Sequence, residues 1–120
     1  MWNHPFQQMG RMIFVIHFDK DTRVITVTPE GEIDHCLAES MRNAVDAAIL
    51  TSTARLLVFD LTDVPFMDSS GIGMLIGRYK LMKKRGGNVR VRGMREQVSR
   101  VFRMSGLGHI IANEERTEQS

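Results

Sequence analysis

The run Leu56-Leu57-Val58-Phe59 is the most apolar stretch of the 120-residue chain, and beyond it Ile72, Leu75, Ile76, Tyr79 and Met82 recur at helical spacing. A short continuous apolar run reads as a buried strand, and the periodic segment as a helix. The intervening Pro65-Phe66-Met67-Asp68-Ser69-Ser70-Gly71-Ile72-Gly73 is then a strand-to-helix loop. A strand feeding a helix in this way must bury its apolar faces in a layered α/β arrangement. In an open sheet of that kind such a loop lies at the carboxyl end of its strand, where ligands and partners dock.

The rest of the chain fits the same scheme. Residues 1–11 are polar, contain Pro5 and show no period, so they are expected to form an N-terminal leader. Met12 to Phe18 is a strand candidate, Asp19-Lys20-Asp21 a turn, and Val24 to Thr28, rich in β-branched residues, a second strand of the same hairpin. Asp34 can cap a helix carrying Leu37, Met41, Ala44, Val45 and Ala48 on one stripe. Arg55 to Leu61 is the third strand, and its apolar character on both faces suits a central parallel position. Gly86-Gly87 ends the helix after the serine loop, and Asn88 to Arg92 alternates as a half-exposed strand. Val98, Val101 and Phe102 mark a last helix closed by Gly106, with His109 to Ala112 as a short final strand. The expected order is β-β-α-β-α-β-α-β: one α/β domain over residues 12–112, with a mixed, mostly parallel sheet and a flexible tail at 113–120.

Composition bounds the function. No apolar run is long enough to cross a membrane, and the N-terminal residues lack the basic-then-apolar order of a signal peptide. A single cysteine, Cys36, excludes an internal disulfide and suits the reducing cytoplasm. Residues 1–70 carry 5 Lys/Arg against 10 Asp/Glu, a net −5, whereas residues 78–103 carry 10 Lys/Arg against one Glu, a net +9. These basic residues are spread over a helix, a strand and another helix. They read as a solvated face with cations near helix C-termini rather than as a nucleic-acid surface, so no nucleic-acid partner is expected.

Catalytic patterns are missing at the level of spacing. Gly71-x-Gly73-x-x-x-Gly77 has its third glycine one residue too late for a dinucleotide fingerprint, and no Gly-Lys-Ser/Thr follows. Ser69 is not in a Gly-x-Ser-x-Gly elbow, and His4, His17, His35 and His109 lack metal-type spacing. His35 and Cys36 are neighbours in sequence and point apart on a helix. Asp60, Asp63 and Asp68 could gather a divalent ion, but turn and capping roles suit them better. No catalytic residue, metal or cofactor is expected. Gly73 and Gly77 each weaken a helix interior, which implies close approach of a surface, either the domain's own or a partner's.

The hydroxyl pair Ser69-Ser70 remains. One reading has Ser69 or Asp68 capping the helix and nothing more. The other is a phosphorylation switch: a phosphate on Ser69 would sit at the positive end of the helix dipole. It would bring about −1.5 to −2 of charge next to Asp68, tolerable in solvent and costly inside a packed interface.

The segments Val64 to Gly73 and Gly77-Arg78-Tyr79-Lys80 closely resemble the anti-sigma factor antagonists of the STAS domain family. Gly31-Glu32-Ile33-Asp34-His35 and Met104-Ser105-Gly106-Leu107 match as well, in the family's order, so the similarity spans about residues 12–112, with the sporulation members closest. The resemblance implies a non-enzymatic regulator in which Ser69 is phosphorylated by its own partner, an anti-sigma factor with serine kinase activity. A metal-dependent serine phosphatase would reset it. It further implies a binding surface of Asp68, Ser70, Gly71, Ile72 and Gly73, with Glu32 and Asp34 from the neighbouring loop. Two alternatives stay open: a STAS subunit of another assembly, such as a stress-response complex, and a nucleotide-binding STAS domain.

Overall fold

The protein is described from a computed structural model that covers residues 2–8 and 11–114, with side chains from Ile13 onward. Six strands form one sheet in simple sequential order. They are β1 (Trp2–Gln8), β2 (Arg11–Asp19), β3 (Val24–Pro29), β4 (Leu56–Asp60), β5 (Asn88–Arg92) and β6 (Ala112–Glu114). β1, β2 and β3 pair antiparallel; β3, β4, β5 and β6 pair parallel. Helices α1 (His35–Leu50), α2 (Ser69–Lys84) and α3 (Glu96–Met104) make the crossovers, and a turn of 3₁₀ helix (Leu107–His109) precedes β6. Sequential parallel strands joined by right-handed crossovers put every helix on the same face of the sheet.

That face is the core. Ile25 and Val27, Leu57 and Phe59, and Val89 and Val91 point into it from β3, β4 and β5. Met41, Val45, Leu75, Met82, Val98 and Phe102 meet them from the helices, and all are buried. Of the expected α1 stripe, Leu37, Met41, Val45 and Ala48 are buried and Ala44 is half-buried, and the Asp34 carboxylate accepts from the Leu37 N–H at 2.9 Å as the N-cap. β4 is central, as its apolar character implies, but the helices cover only one of its faces. Val58 is buried outside the core cluster and Leu56 is half-exposed.

The structure departs from the sequence reading in four places. The expected leader contains β1, which pairs along β2 with a shift in register between Phe6 and Gln7. It is an edge strand, where the missing N–H of Pro5 is tolerated. α2 starts at Ser69, behind one of the two cap residues the sequence offered, but turns a slightly different face inward: Gly71, Met74, Leu75, Arg78 and Met82 are buried, and Ile72, Ile76 and Tyr79 flank them. Arg78 lies there because Asp46 of α1 meets it, Nε to Oδ1 at 2.7 Å. Burial lowers the Arg78 pKa, Asp46 opposes that, and nearby Arg42 adds to it. Finally, the end strand begins at Ala112 and reaches Glu114. Gly106, in the left-handed conformation at φ 83°, turns the chain into the 3₁₀ helix, so Leu107 and Ile111 plug the core first. The remaining tail, 115–120, lies outside the described residues.

Candidate functional site

Two loops lie side by side at the start of α1 and α2. Ile33 and Met67, both fully buried, form a parallel bridge. The Ile33 N–H donates to Phe66 O at 2.9 Å, the Asp68 N–H to Ile33 O at 3.2 Å, and the Gly31 N–H to Asp63 O at 3.0 Å. The next residue in each loop is an N-cap aspartate. Asp34 and Asp68 have the same backbone conformation, φ −100° and ψ −171°, and each carboxylate accepts a helix N–H. The two helix N-termini are thereby held in parallel, and Glu32, Asp34 and Asp68 are gathered at one end of the molecule.

Asp68 settles which residue caps α2. Its Oδ1 accepts from the Ser70 N–H at 2.8 Å and its backbone carbonyl from the Gly71 N–H at 3.0 Å. Ser69, the first residue of the helix, is exposed, and its side chain makes no hydrogen bond among the described residues. The hydroxyl is free of structural duty at the positive end of the dipole.

The other expected contact residues divide by exposure. Glu32, Asp34 and Gly73 are exposed; Asp68, Ser70 and Ile72 are half-buried; Gly71 is buried. A Cβ at Gly71 would lie 2.3 Å from Met67 Cγ and 3.2 Å from Ile33 Cγ2, so the bridge beneath the site requires a glycine there. Gly71 therefore shapes the platform from below. Gly73 is the opposite case, since a Cβ there would meet nothing within 4 Å. The same is true of Gly77, so neither glycine is explained by the domain's own packing.

Beside Ser70 and Gly73 a groove of about 300 Å³ opens between α1 and α2, completed by His35, Ala38, Glu39, Arg42 and Met74. Sequence reasoning left these out because they are contributed from two helices. It also left out Gln97 of α3, whose amide clamps the Met67 backbone: Oε1 accepts from the Met67 N–H at 3.0 Å and Nε2 donates to Met67 O at 3.2 Å. No local signal distinguishes Gln97 from any polar residue on an exposed helix face. Phe66, 40% exposed at the tip of the loop, is a further apolar contact surface.

Of Asp60, Asp63 and Asp68, the carboxylates of Asp60 and Asp68 have partners within the fold. Asp60 accepts from the Thr62 hydroxyl and N–H, at 2.7 and 3.1 Å, and pairs with Arg92 at 3.3 Å. Burial works against its ionisation, but these hydrogen bonds and the Arg92 charge outweigh it and hold the carboxyl below its ordinary pKa.

The fold is a one-sided sheet with two aspartate-capped helices side by side, and comparison with known proteins gives its class. The STAS domain family model matches residues 16–120, and the chain belongs to that family. Among its relatives is an anti-sigma F factor antagonist of Paenibacillus polymyxa, 36% identical over 96 residues, covering 80% of this chain and 82% of that one. An anti-sigma-B factor antagonist of Bacillus subtilis is 36% identical over 87 residues, covering 72% and 78%. The solved structure of the anti-sigma factor antagonist SpoIIAA in its unphosphorylated form superposes with a TM-score of 0.78 at 26% identity, over 88% of this chain and 90% of that one. SpoIIAA in its phosphorylated form matches at 0.70 and 25%, over 88% and 93%.

Proposed function

We propose that this protein is an anti-sigma factor antagonist whose binding is switched off by phosphorylation of Ser69. The unmodified form binds an anti-sigma factor with serine kinase activity, and the sigma factor is released. The kinase supplies ATP, metal and base; the antagonist supplies only the hydroxyl. A metal-dependent serine phosphatase returns the protein to its binding form. The cycle runs in the cytoplasm; among the described residues no helix is long and apolar enough to cross a membrane.

One observation carries the proposal: Asp68 does the capping, so the exposed Ser69 hydroxyl at the helix start has no structural task. A phosphate added there is stabilised by the helix N-terminus and leaves the fold intact. Against a partner packed over Glu32, Asp34 and Asp68, the same dianion is desolvated and repelled by the carboxylates around it. The relatives support this reading, since this chain matches the structures of SpoIIAA in both its unphosphorylated and its phosphorylated form. Incubation with a cognate kinase-type anti-sigma factor and ATP tests it: wild type gains one phosphate, mapped to Ser69 by mass spectrometry, and Ser69→Ala binds the partner but gains none. A phosphate mapped to any other residue contradicts the proposal.

A further inference from the structure

The opposite end of the sheet holds a second, unrelated constellation. Arg23 immediately precedes β3, Arg55 immediately precedes β4, and Arg85 is the C-cap of α2 just before β5. Together with Ser52, Thr53 and Ala54 they line a recess of about 370 Å³. It lies at the far end of α2 from Ser69, 16 helical residues away, or about 24 Å at the usual rise.

Arg23 and Arg85 are tethered to backbone carbonyls, Arg55 is not, and no carboxylate among the described residues neutralises any of the three. Arg23 Nε donates to Thr53 O at 2.9 Å and Arg85 Nη2 to Ser52 O at 3.3 Å. Each guanidinium has five N–H donors, so most remain free. The Arg55 side chain makes no hydrogen bond, and none of the three has a carboxylate partner among the described residues. Arg42, Arg78, Arg90, Arg92 and Arg100 have one, whereas Arg95 and Arg103 donate to Thr62 O and to the Ser99 hydroxyl. The backbone is also unusual. Arg23 closes the β2–β3 turn in the left-handed region, at φ 63°; its N–H donates to Asp19 O at 2.7 Å and its carbonyl accepts from the Arg55 and Leu56 N–H groups. Such conformations persist only where their surroundings over-determine them. Behind them Gly87 passes so close that a Cβ would lie 2.6 Å from Arg55 O.

We infer that this recess binds a small, multiply charged oxyanion of the phosphate class. Guanidinium forks match the paired oxygens of such groups, and convergence of three from separate segments favours more than one negative charge. The site is independent of Ser69 and of the switch proposed above.

Titration with inorganic pyrophosphate, followed by heteronuclear NMR at about 0.15 M ionic strength, where stray surface attraction is screened, tests the inference. Wild type should show saturable shifts centred on Arg23, Arg55, Gly86 and Gly87. Arg55→Ala, whose side chain supports nothing else in the fold, should weaken binding at least about tenfold, from the loss of charge-assisted hydrogen bonds. Arg55→Lys should fall between the two. Arg103→Ala on α3 and Ser69→Ala should match wild type. The inference is overturned if the shifts fail to saturate, if they spread over the basic face of residues 78–103, or if Arg55→Ala binds as tightly as wild type.

Discussion

The two ends of α1 and α2 are built from opposite charges. At their N-termini stand Asp34 and Asp68, with Glu32 beside them; at the C-terminus of α2 stand Lys83, Lys84 and Arg85, with Arg23 and Arg55 beside Arg85, while the last turn of α1 holds no basic residue of its own. Both arrangements complement the helix dipole, so electrostatics of the fold alone would produce either. The difference lies in what is left over. At the acidic end the caps are satisfied by Asp34 and Asp68, and the spare group is a neutral hydroxyl, whose charge depends on modification. At the basic end the spare groups are guanidinium donors, charged at every physiological pH. Under the proposed function the first end is switched by modification, whereas the second keeps its charge.

The largest way to break this contrast is to charge the switchable end permanently. Ser69→Asp should weaken anti-sigma factor binding by about 2 kcal/mol, roughly thirtyfold, by like-charge repulsion in the interface, and calorimetry would read it directly. The melting temperature should hold, because an acidic residue suits the first turn of a helix. Gly71→Ala comes next. Overpacking against Met67 and Ile33 should cost about 1–2 kcal/mol of folding stability in denaturant titrations. Two residues further on, Gly73→Ala should do the reverse and stabilise the fold by up to about 1 kcal/mol, since its Cβ enters open space. If the two substitutions had equal effects, the division between a glycine that shapes the platform and one that faces outward would fail.

The smallest effect concerns pH. The Asp60 pKa is lower in the folded state than its ordinary value of 3.8, so its contribution to stability is present above that value and is lost as pH falls through the lower folded value. Asp60→Asn should therefore flatten the acid limb of the stability curve and leave the Ser69 end untouched, with unchanged partner binding.

Much of this was legible in the sequence because it is local. The Asp34 cap, the α1 stripe, the β3 run and the Gly86-Gly87 stop are written in neighbouring residues, and each stands where its spacing placed it. The strand-to-helix loop was legible as well: apolar strand, aspartate, two serines, helix. What was missed depends on partners distant in sequence. Arg78 reads as a surface residue until Asp46 of another helix makes its burial tolerable. Gln97 becomes a clamp only because α3 returns to the Met67 strand end. β1 has too little apolar content to announce itself and forms because β2 offers it an open edge.

Affinity for the anti-sigma factor before and after stoichiometric phosphorylation of Ser69 measures the central claim most directly. A dianion at the helix start should reduce that affinity by at least about a hundredfold, roughly 3 kcal/mol, while the phosphorylated protein unfolds at an unchanged or higher temperature. Equal affinity of the two forms, or a phosphorylated protein that is no longer folded, would contradict it.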